Sequence, residues 1–279
     1  MKTSAIVTVY NRPDMLLACL RALALNTVAV DQVVVSDDGS NAASVDRMLS
    51  LFSGFPFPIT YVWQDDQGYR LAAARNNALC HATGDYILSL DCDILLLPDV
   101  VEQHLRLARP GQFLAANRAW VGEADTRELL SVPFGPQRLL DLWDRADRSH
   151  VARTHRQFTR NAWLRRLGLA ARHKPKILGC HFSLFKRDIE AVNGFDERYV
   201  GWGLEDDDFS LRLHRAGVRG RSLILDAHAL HLWHPSVDSC PPRLQDSPNM
   251  AYFSRRDVTT RCERGLAVPR PPLRVQSFR

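Results

Sequence analysis

The sequence predicts an α/β fold in which a mainly parallel sheet is flanked by helices. Short runs rich in β-branched residues alternate with helical segments through the first third of the 279-residue chain, a pattern typical of right-handed βαβ units. Acidic turns follow several of these runs, as expected where parallel strands end at a ligand-binding edge. The composition, 46% hydrophobic and 24% charged, is that of a globular protein with a sizeable core.

The elements of the first third can be assigned in order. The β-branched run at 4–10 is suited to a buried strand, and Pro13 opens a helix with a leucine-rich face. Three further strands and two helices alternate after it: strand 31–40 with its acidic turn, helix 44–52, strand 59–63, helix 71–84 ended by Gly84, and the apolar strand 86–97.

Beyond residue 110 the alternation is looser. Helical segments are predicted at 138–150 and 155–176, and a strand at 177–188 turns into a further helix. A last helix starts at the four acids that begin with Glu205. The Pro- and Arg-rich tail from Pro235 shows no periodicity, so no element is predicted there.

Composition excludes several classes of protein. The six cysteines are scattered without a CxxC pair, and no signal-like apolar stretch follows Met1. A reducing, cytoplasmic location is therefore predicted, without a disulfide framework or a structural zinc site. Asp91, Asp93 and Asp99 interrupt the longest apolar run, which falls short of the ~18–20 residues that a membrane-spanning helix needs.

Positive charge is concentrated in one window. The formal net charge is +5, yet residues 138–176 hold eleven Lys or Arg against three Asp, a balance of +8. A solvated basic face would explain this window, and so would an anionic partner such as a lipid surface or a phosphate-bearing acceptor. No nucleic-acid-binding signature supports a nucleic acid as that partner.

Two carboxylates within an apolar strand form a strong signal, because Asp91 and Asp93 would each cost several kcal/mol if buried without a partner. Parallel strands bring their carboxyl ends to one edge, so these acids should lie near Tyr10, Asp37 and Asp38, which end two earlier strands. The two acids are expected to have different partners, a metal ion for one and a sugar hydroxyl for the other. A turn with solvated aspartates is the alternative.

A second acidic cluster, Glu205 to Asp208, begins the last predicted helix, and the helix dipole explains only one or two of its members. In chain order this cluster follows the segments VTVYNRP, VVVSDDGS and AAARNNALCHATGDYILSLDCD, and it lies within VNGFDERYVGWGLEDDDFSLRLHRAG. Together these segments resemble the family 2 inverting glycosyltransferases of GT-A fold, over roughly residues 4–234. The last segment is similar to the C-terminal motif of β-1,4-galactosyltransferases and of bacterial chain-polymerising relatives.

The resemblance implies a metal-dependent enzyme with a nucleotide-sugar donor. Asp91 and Asp93 would form a DxD motif that binds the divalent metal and the nucleotide sugar, so both are predicted metal-site residues. Asp93 would bind Mn²⁺ or Mg²⁺ on the donor diphosphate, and Asp91 would contact the ribose or a metal-bound water. A histidine of HALHLWHP would complete the metal site. The resemblance also implies that Thr8, Tyr10 and Asp38 hold the uracil ring and that Arg75 lies near the nucleotide. Arg12 and Asp37 are further predicted donor-binding residues.

The galactosyltransferase-like motif implies the acceptor side. Asp206 matches the catalytic base, Glu205 an acceptor contact, and Trp202 a contact to donor and acceptor. Inversion requires the acceptor hydroxyl to lose its proton as it attacks, and a carboxylate within reach can take it. A divalent ion would stabilise the departing diphosphate, and an added imidazole ligand favours Mn²⁺. The implied GT-A chain has a Rossmann-like nucleotide-sugar-binding half at 1–110, an acceptor-binding, catalytic half at 111–234 and a tail at 235–279.

Three features depart from the family pattern or leave it ambiguous. Cys92 fills the variable middle of the DxD motif and is expected to be a small apolar filler. His181 stands where similar bacterial enzymes often have Asn, and it is predicted to be an acceptor contact that bears on sugar specificity. Among the candidate metal ligands, His231 ranks first and His234 second, because their two-residue gap matches that of animal galactosyltransferases. His228 is expected in the core or at the surface.

The predicted function is transfer of a hexose or N-acetylhexosamine from a UDP-sugar to a saccharide acceptor, free or lipid-linked, in bacterial surface polysaccharide or lipopolysaccharide synthesis. The protein would be cytoplasmic or peripheral to the inner membrane. A sugar nucleotidyltransferase is an alternative, but it needs a glycine-rich phosphate loop, and VYNRPDML contains no glycine. A non-catalytic binding module would not need Asp91, Asp93 and Asp206. The transferred sugar, acceptor, linkage and oligomeric state stay open, because a methylene-scale difference changes binding by only ~1–3 kcal/mol.

Overall fold

The computed structural model describes residues 1–169, 177–235, 240–255, 257–270 and 273–279. The strands within these residues are β1 Thr3–Val9, β2 Gln32–Asp37, β3 Ile59–Trp63, β4 Tyr86–Asp91, β5 Ile94–Leu96, β6 Gln112–Ala115, β7 Ala119–Trp120, β8 His181–Phe185, β9 Arg219–Ser222, β10 Ala229–His231 and β11 Arg274–Phe278. They form an eight-stranded sheet in the order β11-β3-β2-β1-β4-β8-β6-β9 and a three-stranded sheet in the order β5-β10-β7.

Helices connect most of these strands. They are α1 Pro13–Ala24, α2 Ala42–Leu51, α3 Leu71–His81, α4 Val100–Leu107, α5 Glu123–Ser131, α6 Pro136–Arg145, α7 Val151–Arg166, α8 Lys186–Ala191, α9 Glu205–Arg215 and α10 Met250–Phe253. The strands and helices predicted in the first third are present, although the apolar run 86–97 is divided between β4 and β5. Of the helix predicted at 155–176, α7 covers only the part up to Arg166, and residues 170–176 lie outside the described residues. No helix in the described ranges combines the length and the apolar character that crossing a membrane requires.

Parallel pairing at the centre of the larger sheet positions the site. β3, β2, β1 and β4 run parallel, and Thr8 of β1 lies opposite both Ser36 of β2 and Asp91 of β4. The three strands therefore end at one edge, where the loops that carry Tyr10 and Asp38 begin. This arrangement confirms the predicted mainly parallel α/β architecture.

Helices cover both faces of the sheet. All seven residues of β1 are buried. On one face Leu16 and Leu20 of α1 belong to the same core cluster as Val35, and on the other Phe209 of α9 joins Ile6. Full burial of a Leu or Phe side chain contributes roughly 1.5–3 kcal/mol, so the two helical layers hold the sheet and its functional edge in place.

Two later connections bring distant residues to the carboxyl edge. β8 lies antiparallel between β4 and β6, so both predicted halves contribute to one sheet. β10 pairs antiparallel with β5, with His231 opposite Ile94. Leu232 N donates a hydrogen bond to the Asp93 carbonyl over 3.0 Å. The small sheet thus places the HALHLWHP segment beside the second aspartate of the DxD motif.

The tail contains elements that the sequence did not predict. β11 pairs antiparallel with β3 at the edge of the larger sheet. Four of its five residues are exposed, so it carries no alternating pattern that could have identified it. Tyr252 of α10 donates a hydrogen bond to Asp196 over 2.7 Å, which ties this part of the tail to the segment before α9.

Gly84 has a different role from the predicted one. α3 already ends at His81, because Ala82 is extended with φ −71° and ψ 126°. A Cβ atom at Gly84 would lie 2.5 Å from Ser4 N. The glycine is therefore required where the loop before β4 passes close to β1, and not as a helix stop.

Candidate active site

Asp91, the first acid of the DxD motif, is held by a buried arginine. Nη2 of Arg75, from α3, lies 3.2 Å from Asp91 Oδ1, and its Nη1 lies 3.1 Å from Glu205 Oε1. Nη2 also donates to the Gly179 carbonyl over 3.0 Å, and Thr8 Oγ1 donates to Asp91 Oδ1 over 3.2 Å. Arg75 therefore compensates the charge of Asp91 and links the end of β4 to the start of α9.

Asp93 lies in a different group, because β4 ends at Asp91 and the chain turns at Cys92 and Asp93. His234 Nε2 is 3.2 Å from its Oδ2, and His231 Nε2 is 3.7 Å from its Oδ1. One possible ligand atom from each of these three residues lies within 4.8 Å of the others. Asp91 is not part of this group and pairs with Arg75 instead.

The group formed by Asp93, His231 and His234 fits a divalent cation. Asp93 Oδ1 and His231 Nδ1 are buried without a hydrogen-bond partner among the described residues, a costly state that a bound ion on the carboxylate would relieve. Burial acts to raise the pKa of Asp93, but the hydrogen bond from His234 and the nearby charges lower it overall. Burial lowers the pKa of His231, which favours the neutral imidazole that a metal requires. One carboxylate with two imidazoles suits Mn²⁺.

Two residues that the sequence did not single out lie beside the histidines. The Trp120 ring centroid is 4.5 Å from that of His231, and the Arg118 guanidinium lies 4.8 Å from the Trp120 ring. Arg118 precedes β7, and Trp120 belongs to it. At two residues, β7 is too short to show a hydrophobic period. His228 lies away from the group and stacks on Trp143 with a ring separation of 4.3 Å.

The loops after β1 and β2 form the edge at which donor contacts were predicted. Arg70 N donates to Asp38 Oδ2 over 2.7 Å, and the Gln64 amide donates to Oδ1. Burial raises the pKa of Asp38 to about 6. Tyr10 is 46% exposed, and its hydroxyl donates to Asp66 over 3.0 Å. An aromatic ring open to solvent and a nearly buried carboxylate are thus available to a ligand at this edge.

The structure corrects two predicted contacts, because both side chains are fully buried. Asp37 accepts hydrogen bonds from Ser40 N over 2.8 Å and from the Tyr61 hydroxyl over 2.5 Å, so it shapes the turn instead of touching a donor. His181 Nε2 lies 2.9 Å from His104 Nε2 inside the protein. Burial lowers the pKa of His181 to about 4. This histidine is part of an internal pair and is not exposed to an acceptor in this structure.

The four acids that begin α9 have different surroundings. Asp208 is fully buried, with Oδ2 2.6 Å from Arg212 Nε. Glu205 is buried too, and burial raises its pKa to about 7. Asp207 is 8% exposed, whereas Asp206 is only partly buried. Asp206 is therefore the acid of the cluster that solvent and an acceptor reach most easily.

Backbone hydrogen bonds of Gly179 connect Asp206 to Arg75. Its N–H donates to Asp206 Oδ2 over 3.1 Å, while its carbonyl accepts from Arg75. Asp207 N donates to Asp206 Oδ1 over 2.7 Å. Burial, and then the charge of Asp207, raises the pKa of Asp206. A Cβ atom at Gly179 would lie 2.9 Å from Arg75 Nη2 and 3.2 Å from Asp206 Oδ2, so a side chain here would displace the Arg75 guanidinium.

The turn that carries Trp202 is strained and is held by the tail. Gly203 and Leu204 have φ values of +92° and +76°, and a non-glycine residue in this region costs ~1–3 kcal/mol. Asn249 Nδ2 donates to the Gly203 carbonyl over 2.9 Å, and Ser247 Oγ donates to the Trp202 carbonyl over 3.1 Å. Sequence reasoning missed Ser247 and Asn249, because no motif marks the tail.

Comparisons with known proteins agree with this geometry. Residues 4–189 match glycosyl transferase family 2, and residues 170–234 match the family described as the N-terminal domain of galactosyltransferase. The chain is 29% identical over 238 residues to validoxylamine A glucosyltransferase of Streptomyces hygroscopicus subsp. jinggangensis, covering 77% of this chain and 52% of that protein. It is 28% identical over 249 residues to chondroitin synthase of Escherichia coli, with coverage of 85% and 35%. The chain thus spans about half or less of the length of these relatives.

Solved structures share the architecture. Mannosyltransferase PcManGT from Pyrobaculum calidifontis, in complex with GDP-Man and Mn²⁺, gives a TM-score of 0.55 at 20% identity over 82% of this chain and 56% of that one. S. aureus TarS in complex with UDP-GlcNAc gives 0.55 at 15% identity over 86% and 60%. The architecture is that of the GT-A glycosyltransferases. The match over residues 4–189 identifies the family: the chain belongs to glycosyl transferase family 2.

Proposed function

We propose that this chain is an inverting glycosyltransferase that moves a hexose or N-acetylhexosamine from a UDP-sugar to a hydroxyl of a saccharide acceptor. One observation carries the proposal: the backbone of Gly179 forms hydrogen bonds with both Arg75 and Asp206. Arg75 is in turn the partner of Asp91. A partly exposed carboxylate is thereby held next to the end of the DxD strand, where a bound donor sugar would meet its acceptor. Family membership supports the reaction class.

The residues at the start of α9 would divide the acceptor chemistry between them. Asp206 takes the proton of the attacking hydroxyl, and its raised pKa makes it a stronger base than an ordinary aspartate. Glu205 Oε2 is buried without a hydrogen-bond partner among the described residues and can accept a hydrogen bond from a second acceptor hydroxyl. Trp202 offers an indole surface on which a sugar ring can stack.

The donor would lie along the edge where β1, β2 and β4 end. Tyr10 and Asp38 would contact the base of the nucleotide. Asp93, His231 and His234 would hold Mn²⁺ or Mg²⁺, which when bound would offset the negative charge of the departing diphosphate. Neighbours solved with GDP-Man and with UDP-GlcNAc support a nucleotide sugar as the donor class.

A donor screen tests this function. The chain is incubated with UDP- and GDP-sugars and saccharide acceptors, with and without Mn²⁺, and release of nucleoside diphosphate is measured. We expect Mn²⁺-dependent transfer from one of UDP-Gal, UDP-GalNAc, UDP-GlcNAc or UDP-Glc, with an inverted anomeric centre in the NMR spectrum of the product. Retained configuration, or synthesis of a nucleotide sugar from a nucleoside triphosphate without transfer, would contradict the proposal.

We further propose a lipid-linked acceptor at the inner face of a bacterial membrane, in surface polysaccharide or lipopolysaccharide synthesis. Helix α7 supports membrane contact. Its buried face includes Phe158, whereas Trp163 and Leu167 are 58% and 52% exposed. Its outward face carries arginines for which the described residues provide no ion pair: Arg153, Arg156 and Arg160. A basic face that ends in exposed apolar side chains fits an anionic bilayer.

Co-sedimentation with vesicles tests this contact. Binding is expected to rise with the phosphatidylglycerol content of phosphatidylcholine vesicles and to fall with salt. At ~1 kcal/mol per basic residue, Arg156→Gln with Arg160→Gln should weaken binding about thirtyfold at low salt. Arg21→Gln with Arg47→Gln removes the same charge from helices on the opposite face of the sheet and should have little effect. Equal binding to neutral and anionic vesicles would leave a solvated basic face as the explanation.

A further inference from the structure

Arg12 lies within the group of residues proposed to hold the cation. Its Nη1 is 3.0 Å from Asp93 Oδ2, and its Nη2 is 3.0 Å from His234 Nδ1. The Arg12 side chain is 25% exposed, against 8% for that of Asp93. In this structure the guanidinium therefore compensates the charge of Asp93, while part of the arginine stays open to solvent two residues after Tyr10.

A bound cation and this position of Arg12 oppose each other electrostatically. An arginine guanidinium carries a permanent positive charge. A divalent ion on Asp93 would lie within a few ångströms of the guanidinium, where like charges repel strongly in a poorly solvated site. Arg12 also engages Asp93 Oδ2, so a cation would find only Oδ1 without a partner.

The contacts of His234 also oppose cation binding while Arg12 is in this position. A neutral His234 ring that accepts from Arg12 at Nδ1 carries its proton on Nε2, the atom 3.2 Å from Asp93 Oδ2. A protonated Nε2 cannot ligate a metal. The Pro235 carbonyl lies 2.7 Å from Nδ1. Once Arg12 moves away, Nδ1–H can donate to this carbonyl and leave Nε2 free for a cation.

We propose that Arg12 is a displaceable counter-charge for Asp93. Without a cation it neutralises Asp93 and lies against Nδ1 of His234. A divalent cation displaces it, and the freed guanidinium pairs with the diphosphate of an incoming nucleotide, an anion that arginine binds through two hydrogen bonds. Cation and nucleotide therefore bind cooperatively, since each favours the displaced arginine. The nucleotide part rests on the proposed function, and the cation part does not.

Mn²⁺ binding tests this inference without turnover. Free Mn²⁺ is measured by electron paramagnetic resonance in titrations of the full chain, with and without UDP. Arg12→Met removes the charge but keeps a long side chain, so without UDP it should bind Mn²⁺ about tenfold more tightly than the wild type. Arg12→Lys keeps the charge and should stay within about threefold of the wild type. Arg109→Met, at an exposed position beyond α4, is the matched control and should change nothing.

UDP provides the second comparison. It should tighten Mn²⁺ binding in the wild type, and this tightening should be about tenfold smaller in Arg12→Met, because no arginine has to be displaced. The proposal is overturned if folded Arg12→Met, measured without UDP, binds Mn²⁺ no more tightly than the wild type does. If Arg12→Met binds Mn²⁺ more tightly but UDP tightens its Mn²⁺ binding as much as in the wild type, then Arg12 does not pair with the nucleotide. Arg12→Gln replaces the Met variant if thermal melting shows that the latter is unfolded. If UDP does not bind the wild type, the proposed function fails, while the UDP-free comparison still decides the displacement.

Discussion

Replacement of Asp206 by Asn is expected to lower kcat by about 10²–10⁴-fold, the range typical for loss of a general base. Asparagine keeps the size of the side chain, and its carbonyl can still accept the hydrogen bond from Gly179 N, but it cannot take a proton from the acceptor. Donor binding should stay nearly unchanged, because the role proposed for Asp206 is on the acceptor hydroxyl. Steady-state kinetics for both substrates and calorimetric titration with UDP separate the two effects.

The neighbouring acids provide matched controls. Asp208→Asn should lower the free energy of unfolding and leave kcat nearly intact, because Asp208 is buried between Arg212 and Arg255 and loss of its charge leaves these arginines without a full partner. Asp207→Asn should likewise remain active. A near wild-type rate for Asp206→Asn, or inactivity confined to Asp207→Asn, would show that the base is assigned to the wrong residue.

The pH profile gives a further readout of the base. A base acts as the carboxylate, so activity is present above its pKa and is lost as the pH falls through that pKa. Since burial and Asp207 raise the pKa of Asp206, the acid limb of kcat/KM should lie above the ordinary aspartate value of ~3.9. The neighbouring Glu205 has a pKa raised to about 7, so it is the other acid that could produce this limb. The limb should persist in Glu205→Gln, and its disappearance there would transfer the base role to Glu205.

Removal of the divalent cation is expected to abolish transfer, and Asp93→Ala should lower Mn²⁺ affinity by more than about 100-fold. Loss of an outer partner of a metal ligand already costs ~10–100-fold, and Asp93 is the carboxylate of the group. Asp91→Asn is the matched control, because Asp91 pairs with Arg75, and its Mn²⁺ affinity should stay within a few-fold of the wild type. Activity is measured in excess EDTA and after Mn²⁺ is restored, and Mn²⁺ binding is measured by calorimetry.

Two outcomes would contradict the cation site. Full activity in excess EDTA would exclude a required metal. Equal losses of Mn²⁺ affinity in Asp91→Asn and Asp93→Ala would place both acids on the ion, against the separation of their partners in the structure. His228→Ala tests the histidines in the same way: His228 stacks on Trp143, so only His231→Ala and His234→Ala should weaken Mn²⁺ binding.

Local pattern was sufficient to predict the strands and helices of the first third. β1, β2 and β3 are β-branched runs buried on both faces, and α1 combines Pro13 with a leucine-rich face, so propensity and burial agree there. β7 and β11 were not predicted, because the first is too short and the second too exposed to carry a period. For the same reason Ser247 and Asn249, which hold the Trp202 turn, had no signal in the sequence.

The site was predictable to the extent that charge in an apolar strand demands a partner. Asp91 and Asp93 stood out for that reason, and the order of motifs around them indicated the family. The side chains that pair with these two acids could not be predicted from the sequence. Asp91 takes Arg75 from α3, and Asp93 takes Arg12 and two histidines that β10 brings to it only because β10 pairs with β5.

By itself the sequence determined the α/β architecture, the edge at which the site lies and the family to which the chain belongs. Only the tertiary structure decided that Asp37 and His181 are internal, that Asp206 is the least buried of its four acids, and that Arg12 neutralises Asp93. The physical reason is that propensity and hydrophobic period are local properties of the chain. The burial of a polar side chain, and the identity of the charge beside it, depend on segments that meet only when the chain has folded.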